Sequence, residues 1–185
     1  MKRLFTGIAM DSAQLPALAE CAATLAAEHR DLRWSDPAGW HVTLQFYGMS
    51  TSEQEECLRR QLMTVEAAPF PFAVRDLGLF ERAGVLLAQV VANPELTILQ
   101  QHVTAASRVC GFLPEERPYH PHVTLARQRS RSRRASLQKE LSQMLLRYRE
   151  QPSGSVYVTE FVLYESVAGP SGSRYEVRER FALRD

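Results

Sequence analysis

No run of about 18 apolar residues occurs in this chain, so no helical membrane span is expected. The first ten residues carry Lys2, Arg3 and a short apolar run. They lack the longer apolar region and small-residue cleavage site of a secretory signal, so the expected compartment is the cytoplasm. Neither charge dominates. Twenty-two Lys and Arg against 21 Asp and Glu leave a formal net charge of +1, so any attraction to phosphate must come from local clustering. The three cysteines, Cys21, Cys57 and Cys110, are far apart and form no Cys-x-x-Cys pair. That argues against a zinc knuckle, a redox motif or a disulfide framework, and reads as thiols in a reducing compartment. Nothing resembles a triphosphate-binding loop, so ATP dependence is not expected.

The 185 residues, 45% of them hydrophobic, suit one domain or two small, tightly packed lobes. Arg3 to Met10 reads as a strand, followed by a helix capped at Asp11 or Ser12. Trp40 to Gly48 reads as a strand. A helix from about Ser52 carries Cys57, Leu58, Leu62 and Val65 on one face, with Glu53, Glu55 and Glu56 suiting its dipole. Phe72 to Phe80 and Val85 to Ala92 read as paired strands around Gly84. Pro94 opens a helix that Gly111 ends. A strand at His120 to Arg127, a helix at Ser132 to Arg149, and strands at Val156 to Ser166 and Tyr175 to Leu183 complete the chain. Gly169 to Gly172 makes the last loop. Strands and helices mix without a βαβ rhythm, which points to an α+β fold with largely antiparallel sheets.

One long-range echo stands out. His41-Val42-Thr43-Leu44 recurs as His122-Val123-Thr124-Leu125, both in predicted strands. A strand's period of two turns His and Thr to one face and Val and Leu to the other. Two such strands facing each other would present two imidazoles and two hydroxyls. A third His-x-Thr, His102-Val103-Thr104, falls in a helical pattern, where positions i and i+2 lie about 200° apart. It reads as structural.

The paired motif resembles the 2H phosphoesterase superfamily. Within it, the chain looks like the bacterial RNA 2′,3′-cyclic phosphodiesterases, also called 2′-5′ RNA ligases. Arg3-Leu4-Phe5, Trp40 to Phe46, Arg117 to Arg127, Phe161 to Ser166 and Tyr175 carry the likeness. The resemblance implies two pseudo-symmetric lobes within residues 1–185, with mainly antiparallel sheets, flanking helices and a cleft between them. It implies hydrolysis of 2′,3′-cyclic phosphate ends to 2′-phosphates, with His41 as proton donor and His122 as proton acceptor. It also implies 2′-5′ ligation by the same site, as the weaker activity. The sequence is symmetric between the motifs and does not itself assign acid and base.

Two imidazoles suit the chemistry because an unperturbed ring titrates near pH 6.5 and can give or take a proton. Thr43 and Thr124 can donate to phosphoryl oxygens without adding a titrating group. Arg127 lies five residues after His122, about 16–17 Å at ~3.3 Å per residue and on the opposite face of a regular strand. Its phosphate-binding role, like base stacking by Phe46 at the same offset from His41, is what the resemblance implies. His120 reads as a supporting residue. A metal held by His41, His120 and His122 would leave the threonines unexplained, so no metal and no cofactor is expected. His29 reads as a solvent-facing helix residue. The basic run Arg127, Arg129, Arg131, Arg133 and Arg134 reads as solvated surface or an RNA backbone contact. The expected partner is RNA with a cyclic phosphate end, or a small cyclic nucleotide, and the protein is expected to be a monomer. Alternatives are a phosphodiesterase for another cyclic or 2′,5′-linked nucleotide and a non-catalytic module that binds RNA ends.

Overall fold

The computed structural model describes residues 1–10, 12–91, 93–128, 154–169 and 172–184. The predicted helix at Ser132 to Arg149 and the basic run after Arg127 lie outside these residues. Strands are β1 (Lys2–Ala9), β2 (Leu32–Trp34), β3 (His41–Ser50), β4 (Phe70–Phe80), β5 (Val85–Val90), β6 (His122–Gln128), β7 (Ser155–Val158), β8 (Glu160–Gly169) and β9 (Gly172–Ala182). Helices are α1 (Pro16–Glu28), α2 (Ser52–Leu62) and α3 (Pro94–Arg108).

Every strand pairing among the described residues is antiparallel, as the sequence suggested. The sheet runs β7-β4-β5-β6-β3-β1-β8-β9, with β2 also on β6. It consists of two half-sheets, β7-β4-β5-β6 and β3-β1-β8-β9, joined where Val42 faces Val123. The halves repeat one register. Ala9, Ile8 and Gly7 of β1 face His41, Val42 and Thr43, while Gln89, Ala88 and Leu87 of β5 face His122, Val123 and Thr124.

Helices α2 and α3 pack on one another, and α3 packs on β3. Leu58, Leu62, Leu96, Leu99 and Val103 are fully buried there with Val42, Val123 and Leu125. Burying one such side chain stabilises the fold by about 1.5–3 kcal/mol. Thr51 and Gln54 form a reciprocal cap at the start of α2, and Asn93 caps α3.

Several sequence expectations need correction. Helix α1 begins at Pro16, which suits a first helical position, after a 3-10 turn at Ser12–Gln14. His29 is the residue that ends α1; its carbonyl accepts the Trp34 indole N–H at 2.9 Å. Val156 to Ser166 is two strands, because the chain leaves one half-sheet at Val158 and enters the other at Glu160. Cys57 and Cys110 form a disulfide, joining α2 to the turn after α3. The two cysteines are 53 residues apart, so sequence spacing hid a contact that helix packing creates. Cys21 is free and buried.

Candidate active site

Both tetrapeptides end on a β-bulge. Thr6 faces Gln45 and Gly7 faces Thr43, which leaves Leu44 as the extra residue; Leu86 faces Ala126 and Leu87 faces Thr124, which leaves Leu125. An extra residue reverses the alternation of faces. Leu44 and Gln45 are therefore both buried, as are Leu125 and Ala126, while Phe46 and Arg127 emerge exposed. The odd offset that argued against Arg127 in a regular strand is thus corrected, and Phe46 occupies the matching position in the other half.

Antiparallel pairing at Val42 and Val123 sets the four polar groups. By that register His41 lies across from Thr124, and Thr43 across from His122. The two histidines are diagonal neighbours, about 7–8 Å apart at that spacing.

Each imidazole is held the same way. His41 Nδ1 lies 2.8 Å from the Gly39 carbonyl oxygen, and His122 Nδ1 lies 2.8 Å from the His120 carbonyl oxygen. A carbonyl only accepts, so Nδ1 carries the proton and Nε2 is the nitrogen left for chemistry. The surroundings differ. His41 sits in an aromatic enclosure, with Phe5 at 4.8 Å and Tyr175 edge-on at 4.7 Å between ring centroids, and Tyr164 beyond. Gly7 leaves room for this arrangement: a Cβ there would lie 2.9 Å from the Val42 carbonyl oxygen and 3.5 Å from the His41 ring. His122 meets Phe80 edge-on at 4.9 Å.

Burial lowers the His41 pKa to about 4; the Gly39 carbonyl opposes this, and the charges of His122 and Arg127 add to it. Burial also lowers His122, against the His120 carbonyl and with the charges of Arg127 and His120.

A cleft of about 840 Å³ opens at the Thr43 and His122 end of the seam. Thr43, Phe46, His122 and Arg127 line it, together with Phe80, Arg82, Arg108 and Arg117. His41 and Thr124 are not part of this lining, consistent with their place at the other end of the seam. The Tyr119 hydroxyl donates to the Thr43 carbonyl oxygen at 3.1 Å, and the Gln45 amide donates to the Leu113 carbonyl at 3.4 Å. These bonds tie the cleft wall to β3. His120 is exposed and lines the cleft. His102 is exposed on α3, with its ring against the Glu66 carbonyl, so the third triplet stays outside the four-group site. Among the described residues, no group of three His, Cys, Asp or Glu side chains is placed to hold a metal.

The sequence reading did not assign Phe80 to the site, and Phe5, Tyr164 and Tyr175 entered it only as points of resemblance. Their alternation on β1, β8 and β9 offered a weak signal; Phe80, at the end of a strand, offered none.

Residues 11–170 match the 2′-5′ RNA ligase superfamily. An RNA 2′,3′-cyclic phosphodiesterase of Aquifex aeolicus is 30% identical over 158 residues, covering 82% of this chain and 81% of that protein. One of Bacillus subtilis is 33% identical over 100 residues, and the match spans 51% of this chain and 55% of that protein's length. The crystal structure of Escherichia coli LigT complexed with 3′-AMP matches with a TM-score of 0.76 at 25% identity, covering 100% of this chain and 99% of that one.

Proposed function

We propose, from the premise that this chain belongs to the 2′-5′ RNA ligase superfamily, that it opens 2′,3′-cyclic phosphate ends of RNA to 2′-phosphates. In this reading His41 and His122 form the acid–base pair. The observation that carries it is the matched tethering of the two rings, each with Nδ1–H held by a backbone carbonyl and Nε2 free.

Water attacks phosphorus and gives its proton to His122 Nε2. The P–O3′ bond breaks, and O3′ takes a proton from His41 Nε2. The products are a 2′-phosphate and a 3′-hydroxyl, and solvent exchange restores the two rings. Thr43 and Thr124 donate to the non-bridging oxygens, where charge builds in the transition state. Each proton transfer supplies roughly 10²–10⁴-fold in rate. The phosphate anion between the rings offsets the burial that keeps His41 neutral in the free protein. Phe46, half exposed beside the cleft, stacks on the terminal base. Arg127 faces the phosphate. With a 5′-hydroxyl in place of water, the same step joins two strands by a 2′-5′ linkage, as the weaker activity.

The test of the acid assignment is a substrate with an activated 3′ leaving group, which needs no proton donor. His41→Ala should lose activity on the ordinary cyclic phosphate and keep it on the activated one. Equal loss on both would reject His41 as the acid.

A further inference from the structure

Strand β2 is three residues long, and its middle residue has an unusual neighbour. Arg33 lies directly across from Arg127 of β6. Residues directly opposite in an antiparallel pair project to the same face, and like charges there destabilise the sheet. Leu32 is buried and Trp34 packs against the core, so Arg33 projects away from the core, to the face on which Arg127 emerges. Among the described residues no carboxylate pairs with either guanidinium. Arg3 lies within electrostatic reach as well. Partial burial lowers the pKa of Arg127, Tyr175 opposes that, and the charges of Arg33 and Arg3 reinforce it. The Arg33 side chain lies beside the start of β9: a Cβ added at Gly172 would sit 3.6 Å from its Cδ.

A sheet that sets two arginines side by side at the edge of a cleft, with no counter-ion among the described residues, suits an anion supplied from outside. Arg127 lines the cleft that holds His122, so the positive strip is continuous with the catalytic site. Arginine's planar fork suits phosphate oxygens.

We propose that Arg33 and Arg3, beside the Arg127 that faces the reacting phosphate, form a second phosphate subsite that takes the 5′-phosphate of the terminal nucleotide, the group that links it to the rest of an RNA chain. This rests on the phosphodiesterase reading for what fills the first subsite. It makes a phosphodiester-linked end a better ligand than a bare nucleoside cyclic phosphate.

The experiment reads affinity, so it does not depend on turnover. Binding of adenosine 2′,5′-bisphosphate and adenosine 2′-phosphate is measured by calorimetry for the wild type, Arg33→Gln and Arg33→Lys, with a melting curve for each. The wild type should bind the bisphosphate at least tenfold more tightly. Arg33→Gln should cut that advantage about tenfold and leave the 2′-phosphate affinity unchanged, and Arg33→Lys should keep part of the advantage. Arg33→Gln should melt at or above the wild-type temperature, because a like-charge pair has been relieved. A bisphosphate bound no better than the monophosphate by wild type would overturn the proposal. So would equal loss of both ligands in Arg33→Gln, or a lower melting temperature with an unchanged preference. Catalytic failure of the wild type on cyclic phosphates would reject the phosphodiesterase reading and leave these affinities as an independent result.

Discussion

Val42 lies directly across from Val123, and this one pair is the ladder between β3 and β6. Both valines are fully buried, and each carries a histidine on one side and a threonine on the other. The pseudo-twofold relation of the two motifs passes through this pair, so the position of the four polar groups depends on two apolar side chains beneath them. Val42→Ala or Val123→Ala should cost about 1–3 kcal/mol of stability. It should also reduce kcat more than it weakens binding, because the histidines lose their relative placement. Denaturant melts and steady-state kinetics check both; a stability loss with unchanged kcat would count against the seam as the organiser of the site.

The pH dependence follows from two lowered histidine pKa values. In the proposed mechanism the productive form of the free enzyme has one ring protonated and the other neutral. Its population peaks between the two values, of which one is about 4 and the other lies below the ordinary 6.5. Above the higher value it declines about tenfold per pH unit, so kcat/KM should fall with that slope between pH 7 and 9. A profile that rises across that range would contradict this.

His41 also links pH to stability. In the unfolded chain it takes a proton near pH 6.5, and in the folded chain only near about 4. Between those values the unfolded state binds more protons. The contribution is therefore present above about pH 6.5 and is lost as pH falls toward 4, at up to about 1.4 kcal/mol per pH unit. Replacing His41 with Phe should flatten that part of the stability curve; an unchanged acid slope would show that the burden lies elsewhere.

Phe46 is half exposed, so its ring is expendable for folding and available for a base. Phe46→Ala should leave the melting temperature nearly unchanged and raise KM. Stacking of one base is worth about 1–3 kcal/mol, or roughly five- to a hundredfold in affinity. An unaltered KM would remove the stacking role.

Much of this architecture was legible in the sequence, and what was hidden has physical causes. Alternation and helical spacing located β1, β3 to β6, α2 and α3 within a few residues. The motif pair was visible because both copies carry the same four residues in strands. The bulges at Leu44 and Leu125 were not visible, because each is a choice of hydrogen-bonding register made with a neighbouring strand. Without them the positions of Phe46 and Arg127 could not be read from offsets. The break at Thr159 was hidden because Val156 to Tyr164 favours strand throughout, and a change of partner leaves no local mark. Glu55 reads as a first-turn acid of α2, yet it is buried and held by Lys2 at 2.7 Å and Arg178 at 2.9 Å. Burial pushes its carboxyl up, and those two partners outweigh it and hold the group below the usual range.

The Cys57–Cys110 bond gives a chemical prediction. Denatured, unreduced protein should show one reactive thiol, Cys21, and three after reduction. Reduction should lower stability by about 2–4 kcal/mol, the usual range for a disulfide. Three thiols without reductant would show that the two cysteines pack side by side unbonded.

The most direct test of the account is an end-product assay in EDTA. An RNA ending in a 2′,3′-cyclic phosphate is incubated with wild type, His41→Ala and His122→Ala, and 2′- and 3′-phosphate products are resolved by chromatography. The account predicts a 2′-phosphate from wild type and a loss of at least about 10²-fold in each variant. A 3′-phosphate product, or a variant that turns over at the wild-type rate, would contradict it.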